Sequence, residues 1–213
     1  MKKKNAPLHE QSNFVNLERL TFLIDGVFAI TLTLLVLELR PPEDKVTNLA
    51  ESLRGMLPRL YIYFIAFYSI ANHWVVHQRM FRHITNADTI MLWLSLLSLL
   101  FITLIPVSTA IVGRFPNEKL AAACFSANSY LQALTTWGFW IYVAKRTRQF
   151  ASHSDPRLLK ITSQVWLVIS IGWLLSITFG FLNVYFAYAS WVLWPNLVAT
   201  WGNHQRRKLI RAH

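Results

Sequence analysis

The sequence predicts an all-α membrane protein with six transmembrane helices, and three observations support this class. Hydrophobic residues make up 54% of the 213 residues, and the mean hydropathy is +0.35. Charged residues account for only 15% and lie mostly between long apolar stretches. Each apolar stretch approaches the roughly 20 residues that a helix needs to cross about 30 Å of hydrocarbon. A soluble domain of this composition would lack the polar residues to cover its surface.

The apolar stretches define the domain organisation. The predicted spans are residues 17–39, 55–77, 88–112, 120–144, 161–182 and 184–202. Residues 1–16 are expected to form a cytoplasmic N-terminal segment, residues 17–203 the six-helix domain and residues 204–213 a basic cytoplasmic tail. Because no small-residue cleavage site follows the first apolar stretch, we expect a retained helix and not a signal peptide.

Helix-breaking residues explain where the spans end. The prolines of Pro41-Pro42, with charges after them, end the first span, because proline cannot continue a helix. Pro116 lies between the third and fourth spans, and Pro156 precedes the fifth. The fifth and sixth spans are predicted to form a hairpin around Leu182-Asn183. Aromatic residues of the sixth span suit a membrane interface; they are Trp191, Trp194 and Trp201.

The charges of the loops predict the orientation of the bundle. Fourteen basic residues fall on one side, namely Lys2, Lys3, Lys4, Arg79, Arg82, Lys145, Arg146, Arg148, Arg157, Lys160, Arg206, Arg207, Lys208 and Arg211. The opposite side has Arg40, Lys45, Arg114 and Lys119, diluted by Glu38, Glu43, Asp44, Glu51 and Glu118. The positive-inside rule therefore predicts cytoplasmic N- and C-termini, as an even number of spans requires.

The net charge of +11 does not indicate a nucleic-acid partner. The basic residues flank the ends of spans, where they set topology and contact anionic lipids. The single cysteine, Cys124, lies inside a predicted span and excludes an intramolecular disulfide. No nucleophile motif with a glycine-rich oxyanion loop is present, so enzyme activity is not expected.

The first span combines an aliphatic stripe with an acid. At 100° per residue, Leu23, Val27, Ile30, Leu34 and Leu37 share one face, with Thr33 at its edge. A stripe that faces lipid is one explanation of this pattern. Asp25 points about 140° away from Ile30 by the same geometry, and a carboxylate in hydrocarbon must face protein or water. The acid and the stripe are therefore expected to face different neighbours.

The residues of the first three spans resemble one channel family. Arg19, the Asp25-Gly26-Val27-Phe28-Ala29-Ile30 segment and the following Thr33 to Leu39 resemble the first helix of bacterial members of the transmembrane protein 175 potassium-channel family. The end of the second span, from His73-Trp74 to Arg82, and the Leu104-Ile105-Pro106 segment extend the resemblance. One departure is clear. The family motif has phenylalanine and serine where this chain has Leu23 and Ile24.

The resemblance implies a homotetramer in the bacterial inner membrane whose first helices line a central pore for potassium ions. Ile30 would form the hydrophobic constriction, with further layers at Leu34 and Leu37, and Thr33 would supply a selecting hydroxyl. A ring of isoleucines can gate by dewetting, and hydroxyls can replace part of an ion's hydration shell. The chain has no TVGYG-like segment, so moderate selectivity through side chains is expected, with no cofactor.

The same resemblance assigns Arg19, Asp25, His73 and His77 to a structural polar network. Asp25 is expected to reach the second span at Asn72, His73, Trp74 or His77. His73 and His77 are four residues apart, a spacing compatible with a metal, but no second paired motif accompanies them, so no metal site is predicted.

Three functional classes remain open from the sequence. The first is a cation channel, selective for potassium or leaky to protons. The second is a secondary transporter, which normally has internal repeats and paired broken helices. Pro106 interrupts one span, but no matching second break is evident. The third is a non-conducting structural membrane protein.

Overall fold

The helices follow the predicted spans closely. The computed structural model describes residues 14–39, 48–151 and 155–211. Its main helices are α1 (Leu17–Leu35), α2 (Leu49–Phe81), α3 (Thr89–Thr103), α4 (Ile105–Arg114), α5 (Lys119–Lys145), α6 (Pro156–Leu182) and α7 (Val184–Arg211). A 3₁₀ turn (Val36–Glu38) extends α1, and a single turn of helix (Thr147–Phe150) follows α5. The predicted third span is thus divided between α3 and α4.

Most helix ends have a local cause. The side chain of Asn16 accepts a hydrogen bond from the Arg19 N–H at the start of α1, and Asp88 does the same for Met91 at the start of α3. Asp155 caps α6, which then begins with Pro156. Side-chain oxygens at these positions satisfy N–H groups that have no partner within the helix. The break at Leu104 precedes Pro106, which has no N–H to continue the α3 ladder.

Several helices extend beyond the predicted spans. α2 begins at Leu49 and α7 continues to Arg211, so the part of the predicted basic tail that the structure describes continues α7. The Pro41-Pro42 break and Lys2 to Lys4 lie outside the described residues. By length and hydropathy alone, three segments qualify as membrane spans, namely Leu17–Glu38, Thr89–Arg114 and Pro156–Leu182.

The helix α5 is central to the core. It packs against α3 and α6, while α6 also packs along α7, and α1 rests on α2, α3 and α4. Four polar residues of α5 are buried in the core, namely Ser126, Ser129, Gln132 and Thr136. A short antiparallel pair, β1 (Phe14–Val15) with β2 (Ala87–Asp88), ties the chain before α1 to the start of α3.

One tryptophan of α7 was predicted wrongly. Trp191 is only 3% exposed, and its indole N–H lies 3.0 Å from the hydroxyl of Ser126 and 2.9 Å from that of Ser176. It therefore joins α5, α6 and α7 in the core instead of lying at an interface. The α6–α7 hairpin was predicted correctly, and Asn183 ends α6 there.

Candidate ion-conducting face and its polar support

The helix α1 has one face in the core and one face open. The buried side chains are Leu20, Ile24, Phe28, Thr31 and Leu35. They recur every three to four residues, which is the spacing of one helix face. They pack the helix against the rest of the chain, so the orientation of the opposite face is fixed.

The predicted stripe lies on the open face. Ile30 is 60% exposed, Leu34 46% and Leu37 67%, and Thr33 is exposed among them. Nearer the start of α1, a groove of about 510 Å³ is lined by Glu18, Arg19, Phe22, Leu23, Gly26, Val27 and Ile30. The residues predicted for the pore therefore lie together on a surface that this chain leaves uncovered.

The hydroxyl of Thr33 has a defined orientation. Its oxygen lies 2.7 Å from the backbone carbonyl of Ile30 and donates its proton to it. A hydroxyl has one proton and two lone pairs, so the lone pairs of Thr33 stay available to a ligand. This matters because only the oxygen side of a hydroxyl can coordinate a cation.

Asp25 faces α2 instead of the open face. One carboxylate oxygen of Asp25 accepts a hydrogen bond of 2.9 Å from Trp74 Nε1 and another from the side-chain amide of Gln78. Trp74 was among the four expected partners, whereas Gln78 was missed. The missed signal was the spacing of Trp74 and Gln78, which places both side chains on one face of α2.

The two histidines of α2 occupy the interior beside α1. The ring of His73 stacks on Phe28 with a centroid separation of 5.6 Å, and its Nε2 lies 3.0 Å from the amide nitrogen of Gln132. The ring of His77 stacks on Phe81 at 4.0 Å. No cluster of three or more His, Cys, Asp or Glu side chains suited to a metal occurs among the described residues.

In this chain the residues of the predicted polar network lie in three different places. Arg19 lies exposed on the open face, Asp25 contacts α2, and both histidines lie in the aromatic and polar core. Leu23 and Ile24, which replace the family's phenylalanine and serine, have opposite environments: Leu23 lines the groove, whereas Ile24 is 1% exposed. At this position the core takes an aliphatic side chain in place of a hydroxyl.

Comparisons with known proteins agree with this architecture. Residues 19–106 match the family model described as "Endosomal/lysosomal potassium channel TMEM175". A protein of Streptomyces collinus named as a potassium channel is 27% identical over 164 residues, which cover 75% of this chain and 80% of the relative. The human protein named "Endosomal/lysosomal proton channel TMEM175" is 32% identical over 125 residues, which cover 53% of this chain and 24% of the human protein.

The fold is similar to that of a solved channel. The crystal structure of a lysosomal potassium-selective channel TMEM175 homolog from Chamaesiphon minutus matches with a TM-score of 0.77 at 23% identity, covering 88% of this chain and 98% of that one. The family match covers α1 from Arg19 onward and all of α2, the helices that carry the open stripe and the Asp25 contacts. Over residues 19–106 the chain is therefore similar in sequence to the TMEM175 channel family, and its fold is similar to that of a solved TMEM175 homolog.

Proposed function

We propose that four copies of this chain assemble around a central axis, with the open faces of the α1 helices lining a potassium-conducting pore. The support is the stripe itself: Leu23, Ile30, Leu34 and Leu37 are exposed apolar residues on one side of α1 and its 3₁₀ extension. The chain carries one copy of this helix, so a symmetric pore needs several chains. The proposal places the protein in a bacterial inner membrane with both termini cytoplasmic.

Ile30 forms the constriction in this assembly. A ring of its side chains would have no polar group to hold water, and a narrow apolar ring resists hydration and thereby blocks ions. Leu34 and Leu37 extend the apolar lining toward the other end of α1, about one and two helical turns farther along. Opening would then require the ring to widen or rotate away from the axis.

Thr33 discriminates between ions in this assembly. It lies about 4.5 Å from Ile30 along the helix axis, so the two residues form successive layers. Its proton is donated to the Ile30 carbonyl, and its lone pairs are thus available to a passing cation. Four such oxygens replace part of a hydration shell, which supports moderate rather than strict potassium selectivity.

Potassium is the proposed ion because the bacterial relative is named as a potassium channel. The name of the human relative makes protons the competing ion. A secondary transporter is supported less well, because such folds pair two broken helices. Among the described residues only the span made of α3 and α4 is broken, whereas Pro58 and Pro195 lie inside continuous helices.

Purified protein in liposomes tests this function. With an outward potassium gradient and a voltage-sensitive dye, we expect an electrodiffusive potassium flux that needs no counter-ion and exceeds the sodium flux under a matched gradient. A flux that depends on a second ion would identify a transporter. A flux carried by protons alone would support the competing channel, and no flux above that of empty liposomes would contradict conduction.

A further inference from the structure

A second polar site lies away from the α1 stripe, between α2 and α7. A cavity of about 170 Å³ is lined by residues of α2, α5, α6 and α7 and by two residues near the α3–α4 break. Its lining on α7 runs from Pro195 to Arg206, which is about 16 Å along the helix. Arg79 of α2 and Arg206 of α7 both line it, and further basic residues follow them in the sequence at Arg82, Arg207 and Lys208.

The charge of this cavity has one sign. Arg79 and Arg206 both line it, and no Asp or Glu is among its described lining residues. Burial, and then the like charge of Arg79, lower the pKa of Arg206. Two guanidinium groups that repel each other in a partly buried site are stabilised by an anion between them, and the planar fork of arginine matches phosphate oxygens.

Further donors line the same cavity. The side chains of Asn72 and Asn203 accompany the arginines, and the Arg206 guanidinium is held against α6 by a 3.4 Å contact to the Thr162 hydroxyl. Trp166 also lines the cavity; it is 5% exposed, and its buried Nε1–H has no hydrogen-bond partner among the described residues. A buried donor left unpaired is costly, so an oxygen atom in the cavity would stabilise the fold.

We propose that this cavity binds a phosphate-type anion, either a free phosphate or the headgroup of an anionic lipid. Arg79 and Arg206 supply the charge-assisted hydrogen bonds, Asn72 and Asn203 supply amide donors, and the Trp166 indole binds an oxygen or a bridging water. The site does not include the α1 stripe. Its occupancy is therefore independent of whether the stripe conducts.

Two binding probes distinguish a free phosphate from the headgroup of an anionic lipid. Inorganic phosphate is titrated into the protein in a neutral detergent and followed by thermal shift and calorimetry. The protein is also placed in nanodiscs of phosphatidylcholine with or without phosphatidylglycerol, and native mass spectrometry counts the retained anionic lipid. Binding of phosphate identifies a soluble ligand, whereas retention of phosphatidylglycerol alone identifies a lipid headgroup.

Variants of the two cavity arginines test the proposal, and a variant of two neighbouring arginines is the control. In Arg79→Gln/Arg206→Gln we expect at least a tenfold loss of affinity for the binding probe. The matched variant Arg82→Gln/Arg207→Gln removes two exposed arginines of the same helix ends that do not line the cavity, and it should bind within twofold of the wild type. Arg79→Lys/Arg206→Lys retains the charge and should bind more tightly than the glutamine variant.

Two single variants keep the test decisive if the double variant fails to fold. Trp166→Phe removes the indole N–H while keeping a smaller aromatic ring, and Arg79→Gln changes an exposed side chain. Each should weaken the binding probe while the protein elutes as the wild type does. If the wild type binds neither probe, or if all these variants bind as tightly as the Arg82/Arg207 control, the proposal is overturned.

Discussion

Asp25 and Thr33 lie eight residues apart on α1, and their hydrogen bonds give them different roles. The carboxylate of Asp25 accepts hydrogen bonds from Trp74 and Gln78 of α2, so it holds two helices together. The hydroxyl of Thr33 donates within its own helix and faces outward. The first residue therefore supports the helix that carries the second.

Replacement of Asp25 by asparagine tests the supporting role. Asp25→Asn removes the charge that strengthens both hydrogen bonds, and hydrogen bonds to charged groups contribute about 1.5–3 kcal/mol. We expect a lower melting temperature with an unchanged ratio of potassium to sodium permeability. A variant of normal stability that loses selectivity would instead place Asp25 in the ion path.

Replacement of Thr33 by valine tests the selecting role. Thr33→Val preserves the shape but removes the oxygen, so potassium flux should persist while the potassium-to-sodium permeability ratio falls toward unity. Thr31→Val is the matched control, because Thr31 lies on the buried face of α1 and its hydroxyl donates a hydrogen bond to the Val27 carbonyl. Equal ratios in the two variants and the wild type, measured by reversal potential, would exclude selection by Thr33.

The need of Asp25 for a protein partner could be predicted from the sequence, but its exact partners could not. A carboxylate in a membrane-length apolar segment needs protein or water beside it, and this much follows from the cost of its charge. The choice between His73 and Gln78 depends on the rotation of α2 about its axis. That rotation is set by packing, because His73 and His77 fill the interior against Phe28 and Phe81.

At the level of elements, α6 and α7 pack closely against each other at Gly172 of α6. A Cβ atom at Gly172 would lie 1.7 Å from Trp194 Nε1, and that indole donates to the carbonyl of Val168. The close approach therefore allows the ring of Trp194 to lie on α6. Small residues commonly permit such contacts between membrane helices.

Gly172→Ala tests this packing. The added methyl group must displace the Trp194 ring, and overpacking of a core costs about 1–3 kcal/mol, so the melting temperature should fall. Gly138→Ala is the control, because a Cβ atom at Gly138 meets nothing within 4 Å. An equally stable Gly172→Ala protein, compared by differential scanning fluorimetry, would contradict the importance of this contact.

The helix pattern was largely predictable, but the environment of single aromatic side chains was not. The Leu182-Asn183 turn and the break near Pro106 follow from local chemistry, so the hairpin and the divided third span follow from the sequence. Trp191 lacked such a local signal. Its burial depends on Ser126 and Ser176, which are brought to it by the packing of α5 and α6.

At the level of the whole molecule, one chain has the fold of the solved TMEM175 homolog but leaves one face of α1 open. Its core is complete around α5, whereas the open face of α1 has no cover from the described part of the same chain. The sequence predicted which face of α1 carries the stripe, because Asp25 and Ile30 point about 140° apart on the helix. It could not decide between lipid and further copies of the chain as the cover, because either environment accepts an aliphatic surface.

The most direct test of the central claim is the potassium flux of Ile30→Asn in liposomes, compared with that of Ile171→Asn. Both residues are exposed isoleucines, at 60% and 45%, but Ile171 lies on α6, away from the α1 stripe. A polar ring at residue 30 would hold water in the constriction, and lowering the barrier by about 1.4 kcal/mol raises a rate about tenfold. We therefore predict a flux at least about tenfold above the wild type for Ile30→Asn and an unchanged flux for Ile171→Asn. Equal fluxes in the wild type and both variants would contradict a pore lined by α1.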